Sequence, residues 1–202
     1  MNTAKCIEPV SPAASAGSRF ERNRPRALEL FAQRGFAQVS LRELASHLEL
    51  TAGSLYNHCS SKEELLLEFI EEHYMALLSL FDRRHRRESP KATLQVVIQR
   101  LIALHESHPL HFQLASRDAG CLKPNQRLYI DRLRQQLRRQ LDLLLCAVGL
   151  IGPGQSSVPA LELFEHLPRW LSIYPLDERQ RCEVLMRLLT TANPIPTPEI
   201  RP

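Results

Sequence analysis

A chain of 202 residues, 44% hydrophobic and 24% charged, is long enough to bury a core in one or two domains. Its formal charge of +4 is compatible with a nucleic-acid partner but too mild to indicate one unaided, so placement matters more than the sum. Cys6, Cys59, Cys121, Cys146 and Cys182 are scattered without paired spacing, which argues against a disulfide framework and a zinc site and fits a reducing cytoplasm.

Residues 1–18 are small, polar and Pro-containing, and read as a disordered lead. No apolar signal core begins the chain, and no run is long enough to span a membrane. Structure is expected from Arg19 onward. In R-A-L-E-L-F-A-Q-R-G, Leu28, Phe31 and Ala32 share a helical face. Gly35 suits the left-handed residue that ends a helix, with Phe36 folding back on the last turn. Pro25 suits a first turn, which predicts a start near Arg24.

Ser40-Leu41-Arg42-Glu43 has the pattern of a capping box and opens a second helix to about Leu48, with Leu41, Leu44, Ala45 and Leu48 inward. Thr51 caps a third helix, Ala52 to His58. Ser61-Lys62-Glu63-Glu64 repeats the capping pattern and starts a long amphipathic helix. Two short helices joined by a tight turn, after a supporting helix, form the arrangement that lays a helix in the DNA major groove. From Arg19 to Lys62 there are seven Lys/Arg against four Glu, a local basic excess suited to phosphate attraction.

This stretch resembles the TetR family of bacterial transcriptional regulators. The residues that carry the resemblance are A-L-E-L-F (27–31), R-G-F (34–36), S-L-R-E-L-A (40–45), G-S-L-Y-N-H (53–58) and S-K-E-E-L-L (61–66). The resemblance implies that Ala52, Gly53, Ser54 and Asn57 face base edges, with Asn57 the best candidate for bidentate reading of adenine. It implies that Tyr56 and His58 touch phosphates, and that Ser40, Arg42, Thr51 and Lys62 hold the backbone and set the register. Taken singly, Tyr56 also fits a packed aromatic and His58 a solvated helix end. The chain departs from the family pattern in three places. Glu49 stands where the tight turn usually has Gly, and Cys59 where a larger apolar residue is usual. Asn23 and Arg24 replace an apolar pair, which suggests a shortened first helix and a basic arm of Arg19, Arg22, Arg24 and Arg26.

The rest reads as helix. The fourth helix continues through His73, Leu77 and Phe81 to Arg87, where Arg83-Arg84-His85-Arg86-Arg87 complements the helix dipole. Ser89-Pro90 opens a fifth helix, which His108-Pro109 breaks before a short sixth. Lys123-Pro124-Asn125 opens a long one to about Val148, with a stripe of Ile130, Leu133, Leu137, Leu141, Leu144 and Val148. Gly149 to Ser157 is a loop, and the tail from Asn193 is extended or loose.

From Val158 to Tyr174 apolar residues occupy two faces, one of Leu161, Phe164, Leu167 and Leu171, the other of Leu163, Leu167, Trp170 and Tyr174. A helix apolar on two sides is buried on two sides, and in a chain this size one side suits a second subunit. Pro168 is expected to kink this helix or end its first half. A final helix spans Asp177 to Thr191. The resemblance implies that these two helices pair in a homodimer, with Leu163, Leu167, Tyr174, Leu185, Leu188 and Leu189 as interface candidates. Dimerisation also fits the chemistry, because two recognition helices fixed by a two-fold axis read a palindromic operator in double-stranded DNA.

The expected fold is therefore all-α. A helix-turn-helix DNA-binding domain spans 19–66, and a ligand-binding and dimerisation domain spans 67–192. The resemblance further implies a small-molecule effector held among the middle helices, and the apolar lining candidates point to an apolar one. Candidate lining residues are Leu101, Leu104, Phe112, Leu137, Leu141, Phe164 and Trp170, each of which also fits an ordinary core, with Arg117 placed to meet an acidic group. Rival readings remain. His105, His108 and His111 suggest a metal sensor, but Pro109 interrupts their helix. Cys59 suggests a redox trigger, although thiols in apolar surroundings are usually inert. Enzymatic activity has little support: no nucleophile elbow, metal-protease helix or phosphate loop occurs, and adjacent Glu71 and Glu72 must diverge on a helix. A TetR-like adaptor for another protein, with DNA as co-ligand, is the alternative to a ligand-responsive repressor. No cofactor is expected, and the compartment is the cytoplasm.

Overall fold

The computed structural model describes residues 19–82, 89–152, 157–171 and 175–192. The expectations for 1–18, the Arg83–Arg87 run, the tail from 193, Tyr174 and the side chains of Leu167 and Trp170 lie outside the described residues. Among the described residues the structure is all-helical, as the sequence pattern implies. Its α-helices in chain order are α1 (Arg19–Arg34), α2 (Leu41–His47), α3 (Ala52–Tyr56), α4 (Lys62–Ser79), α5 (Pro90–Ser107), α6 (Pro109–Asp118), α7 (Pro124–Val148), α8 (Val158–Leu171) and α9 (Glu178–Ala192).

The first helix begins at Arg19, not near Arg24, and Pro25 lies inside it. Tertiary contacts hold the added turn. Phe20 is buried and stacks on His58 with centroids 4.7 Å apart. Asn23 donates to the Leu48 carbonyl at 2.8 Å. Arg24 lies over the Phe69 ring at 4.4 Å and reaches Glu68 and Glu72 of α4 at 3.1 and 2.7 Å. These contacts outweigh the hydrogen bond that Pro25 cannot make. Gly35 closes α1 at φ +88°, its N–H returning to the Phe31 carbonyl at 2.8 Å, and Phe36 packs edge-on against Phe31.

Capping follows the sequence signals with shifts. Ser40, Thr51, Ser61 and Ser89 each accept from the backbone N–H three residues on, at 3.1–3.2 Å. The reciprocal halves of the two boxes are not made: Glu43 pairs with Arg34, and Glu64 accepts from Ser60, through its N–H at 2.7 Å and its hydroxyl at 2.6 Å. The fourth helix ends at Ser79, well short of the predicted Arg87, with the turn continued by Leu80 and Phe81. Gly149 at φ +80° ends α7, whose buried stripe closes on Leu145, with Leu144 half-buried beside it. Helix α8 continues through Pro168 to Leu171. Asp177 and Gln180 cap α9 reciprocally at 2.8 and 3.0 Å.

Helix α4 runs across the expected domain boundary at 66 and packs on α6 and α7. Helix α5 packs on α7 and α9, and α6 on α8 and α1. Phe31, Phe69, Leu94, Leu137 and Phe164 belong to one buried cluster, so the N-terminal helices share their core with the body. Each such side chain contributes roughly 1.5–3 kcal/mol. A polar knot pins the body: Glu165 of α8, 7% exposed, accepts from Tyr74 of α4 at 2.9 Å and from Arg134 of α7 at 2.8 and 2.6 Å. Burial, then the Glu165 charge, pushes the Tyr74 hydroxyl well above the usual tyrosine range. Burying this carboxylate is tolerable because a guanidinium and a hydroxyl satisfy it together.

Candidate nucleic-acid interface

Helices α2 and α3 are joined by a turn in which Glu49 has φ +57°. Glu49 does occupy the left-handed position where glycine is usual, and its carboxylate meets Arg26 of α1 at 2.7 Å. The Arg26 hydrogen bond, then its charge, holds the Glu49 carboxyl below the usual range. Leu48 and Leu55 are buried on either side of the turn, and α3 packs on α2. Cys59, one turn after Leu55, is also buried, and its Sγ lies 3.7 Å from the Leu55 carbonyl.

Helix α3 spans Ala52–Tyr56, shorter than the predicted Ala52–His58, with Asn57 as its C-cap. Thr51, Ala52, Gly53, Tyr56, Asn57 and His58 are exposed and Ser54 is half-buried. Tyr56 shows 54% of its surface, so it is not a packed aromatic. His58 is neither packed in the core nor free: its ring lies flat on Phe20, which fixes its orientation beside α3. Ser40 and Arg42 are exposed at the start of α2. Thus, Lys62 apart, the residues expected to read bases and phosphates are exposed or half-buried at the start of α2 and along α3, with Leu55 as the buried anchor of α3.

Lys62 behaves differently from the expectation. Its Nζ donates to the Phe36 and Val39 carbonyls at 2.9 and 2.7 Å and lies 4.2 Å from the Phe36 ring centroid. It holds the α1–α2 connection to the start of α4. The basic arm is also partly spent: Arg24 and Arg26 are paired to Glu68, Glu72 and Glu49, whereas Arg19 and Arg22 are exposed on α1.

In the body, Leu104 and Phe112 line a cavity of about 280 Å³, and Phe112 also lines a neighbouring one of about 550 Å³ beside Glu165 and His166. Leu101, Leu137, Leu141 and Phe164 are fully packed core and line neither. Arg117 lines neither cavity. Its guanidinium donates to the Phe31 and Ala32 carbonyls of α1 at 2.6 and 2.8 Å and pairs with Asp118 at 2.8 Å. Leu185 and Leu189 are buried within the chain itself, in the packing of α9, while Leu163 and Leu188 are half-buried. His105 lines the larger cavity and His108 and His111 the smaller, so the three do not converge. Among the described residues no group of three His, Cys, Asp or Glu is placed to hold a metal ion. Glu71 accepts from Tyr129 and Glu72 from Arg24, so the two carboxylates do diverge. Burial, then Glu68 and Glu64, pushes the Cys59 thiol up to about 11, which leaves little thiolate at neutral pH. Among the described residues no helix is long and apolar enough to cross a membrane.

Sequence reasoning missed Phe20, Arg24 and the Arg117 fork. Phe20, Ala27, Leu28 and Phe31 fall on one helical face, a signal that the proline at 25 obscured.

Residues 26–69 match the family model for bacterial regulatory proteins of the tetR family. The transcriptional repressor KstR2 of Mycobacterium tuberculosis is 29% identical over 121 residues, covering 58% of this chain and 60% of the repressor. The chain spans only 27% to 60% of the length of the curated relatives it matches. Among solved structures, a tetR-family regulatory protein from Rhodococcus RHA1 superposes with a TM-score of 0.74 at 20% identity, over 88% of this chain and 98% of that one. AibR, crystallised with isovaleryl coenzyme A and operator DNA, gives a TM-score of 0.66 at 20% identity over 86% and 98%. At these identities the structural likeness shows the fold alone. The fold, the motif spacing and the family match agree: residues 26–69 form an N-terminal module similar to that of bacterial regulatory proteins of the tetR family, on a fold shared with solved tetR-family structures.

Proposed function

We propose that the chain is a sequence-specific DNA-binding transcriptional regulator that binds a palindromic operator as a homodimer and is released by a small effector. The observation that carries this reading is the exposed edge of α3, with Tyr56, Asn57 and His58 outward over the buried Leu55. Residues 19–66 act as the reading module and 67–192 as the body that senses and dimerises. Asn57 reads a base edge, Ala52, Gly53 and Ser54 approach the groove, and Ser40, Arg42, Thr51, Tyr56 and His58 meet phosphates. Lys62 keeps one hydrogen-bond donor beyond its two carbonyl partners for a phosphate.

Repression with effector release is supported by the likeness to a named repressor and by AibR, whose crystals hold both an acyl-coenzyme A and operator DNA. An effector acts by its differential affinity for two head arrangements. Helix α6 is suited to carry that difference, because Arg117 and Gln113 grip the last turn of α1. The test is a gel shift on DNA upstream of the protein's own coding region across a salt series. A shift that prefers that DNA over random duplex and falls steeply with salt is expected. Salt-sensitive binding without preference would favour the adaptor reading instead.

A further inference from the structure

Helix α3 has five residues and one buried side chain, Leu55. A helix that short has little stability of its own, so its tilt is set by what holds its ends. Thr51 caps the start, accepting from the Ser54 N–H at 3.1 Å, and α3 packs on α2. Leu55 and Cys59 are buried on its inner side, while Tyr56, Asn57 and His58 are exposed on the outer one. Base contacts require side chains held to within about 0.5 Å by their supporting groups, so the support of this outer side matters.

The start of α1 supplies it at two points. Phe20, 3% exposed, lies face to face with the His58 ring, with centroids 4.7 Å apart and planes 4° from parallel. His58 directly follows Asn57, the C-cap of α3. Asn23, three residues further along α1 and on the same side of it, donates from Nδ2 to the Leu48 carbonyl at 2.8 Å. Leu48 is the C-cap of α2, and the last carbonyls of a helix lack an internal partner, so this donor secures α2 where the turn to α3 begins. Phe20 is buried and Asn23 half-buried, so neither is presented to a duplex. Both precede residues 26–69, so this grip is no part of the stretch that matches the family model. We propose that Phe20 and Asn23 are positioning residues for base recognition: they set the tilt of α3 from behind and thereby decide how sharply the chain discriminates its operator from other DNA. The effect on discrimination rests on the regulator reading above; the grip on α3 does not.

The test compares affinity for the duplex that the unaltered chain enriches most strongly from a randomised library with affinity for a random duplex of equal length. The ratio of the two is the readout, because a partly unfolded preparation lowers both alike. Phe20→Leu keeps an apolar side chain and loses the flat face, and Asn23→Leu keeps the shape and loses the donor. Each should lower the ratio by about tenfold. Phe20→Tyr restores the ring and should restore the ratio. Ile98→Val, a core change in α5, should leave it unaltered. An undiminished ratio in Phe20→Leu and Asn23→Leu, a loss in Phe20→Tyr equal to that in Phe20→Leu, or an equal loss in Ile98→Val overturns the proposal. The grip is measured without DNA by NMR on the full chain. Phe20→Leu should remove the ring-current shift of the His58 ring protons and speed exchange of the His58 and Cys59 amides, which bond to the Leu55 carbonyl. Unchanged signals there refute the grip whatever the chain does with DNA. An unaltered chain that prefers no duplex refutes the regulator reading instead, and the grip is then decided by the NMR signals alone.

Discussion

Arg117 of α6 donates from Nη2 to the Phe31 carbonyl at 2.6 Å, in the last turn of α1. The same guanidinium reaches the Ala32 carbonyl and Asp118, a carboxylate 5% exposed. The last carbonyls of a helix have no partner within it, so a planar five-donor fork is well matched to two of them at once. Arg117→Ala should destabilise the protein by roughly 2–4 kcal/mol, because it removes two charge-assisted bonds to carbonyls that keep only Gly35 and Gln113 as partners and leaves the buried Asp118 charge without its guanidinium. Arg117→Lys should recover only part, since an ammonium cannot reproduce the fork. Urea denaturation of the two variants gives the ordering, and a lysine variant as stable as the parent would refute the fork.

At Glu49 two effects oppose each other. The residue carries the left-handed φ of +57° that glycine accepts freely, yet its carboxylate pairs with Arg26. Exposed pairs contribute little, and a left-handed side chain carries definite strain. Glu49→Gly should therefore raise the melting temperature, and Glu49→Ala, which keeps the strain and loses the pair, should lower it. A melting temperature for the alanine variant above that of the glycine variant would contradict this balance.

Much of this was readable from sequence, for identifiable reasons. Caps at Ser40, Thr51, Ser61 and Ser89 depend on residues three apart, and local chemistry settles them. Glycines 35 and 149 end their helices for an equally local reason. The start of α1 was not readable, because Phe20, Asn23 and Arg24 are held by His58, Leu48 and Glu72, far along the chain. The exposed edge of α3 was legible as a motif, but the two hydrogen bonds that Lys62 donates to the Phe36 and Val39 carbonyls were not. The cavity was legible only in Leu104 and Phe112, since periodicity marks an apolar face without saying whether a neighbour fills it.

His73 makes stability depend on pH. Its folded-state pKa is depressed to about 3, by burial first and then by the nearby His111. Between that value and the ordinary histidine value of about 6.5, the unfolded chain binds a proton that the folded chain does not. Its contribution is therefore complete above about pH 6.5 and lost as pH falls. The expected loss from this group between pH 7 and pH 5 is about 2 kcal/mol. His73→Phe should flatten the pH dependence by that amount relative to the parent, whatever it does to stability at pH 7. Parallel denaturant curves at the two pH values settle the point, and identical slopes would remove His73 as the cause.

Asn57 and Lys62 separate reading from holding. Asn57 is exposed as the C-cap of α3, so Asn57→Ala should leave the fold nearly unchanged. It should cost roughly 1–3 kcal/mol on the preferred operator and little on random duplex. Lys62 already serves two carbonyls and the Phe36 ring, so Lys62→Met should lower stability without any DNA present. If its remaining donor meets a phosphate, the variant should also weaken binding on every sequence and reduce the salt slope by about one. Measuring melts and salt-dependent binding on the same preparations distinguishes the two roles of Lys62. An unchanged salt slope with reduced stability assigns it to the fold alone, and equal losses on operator and random DNA for Asn57→Ala would remove that residue from base recognition.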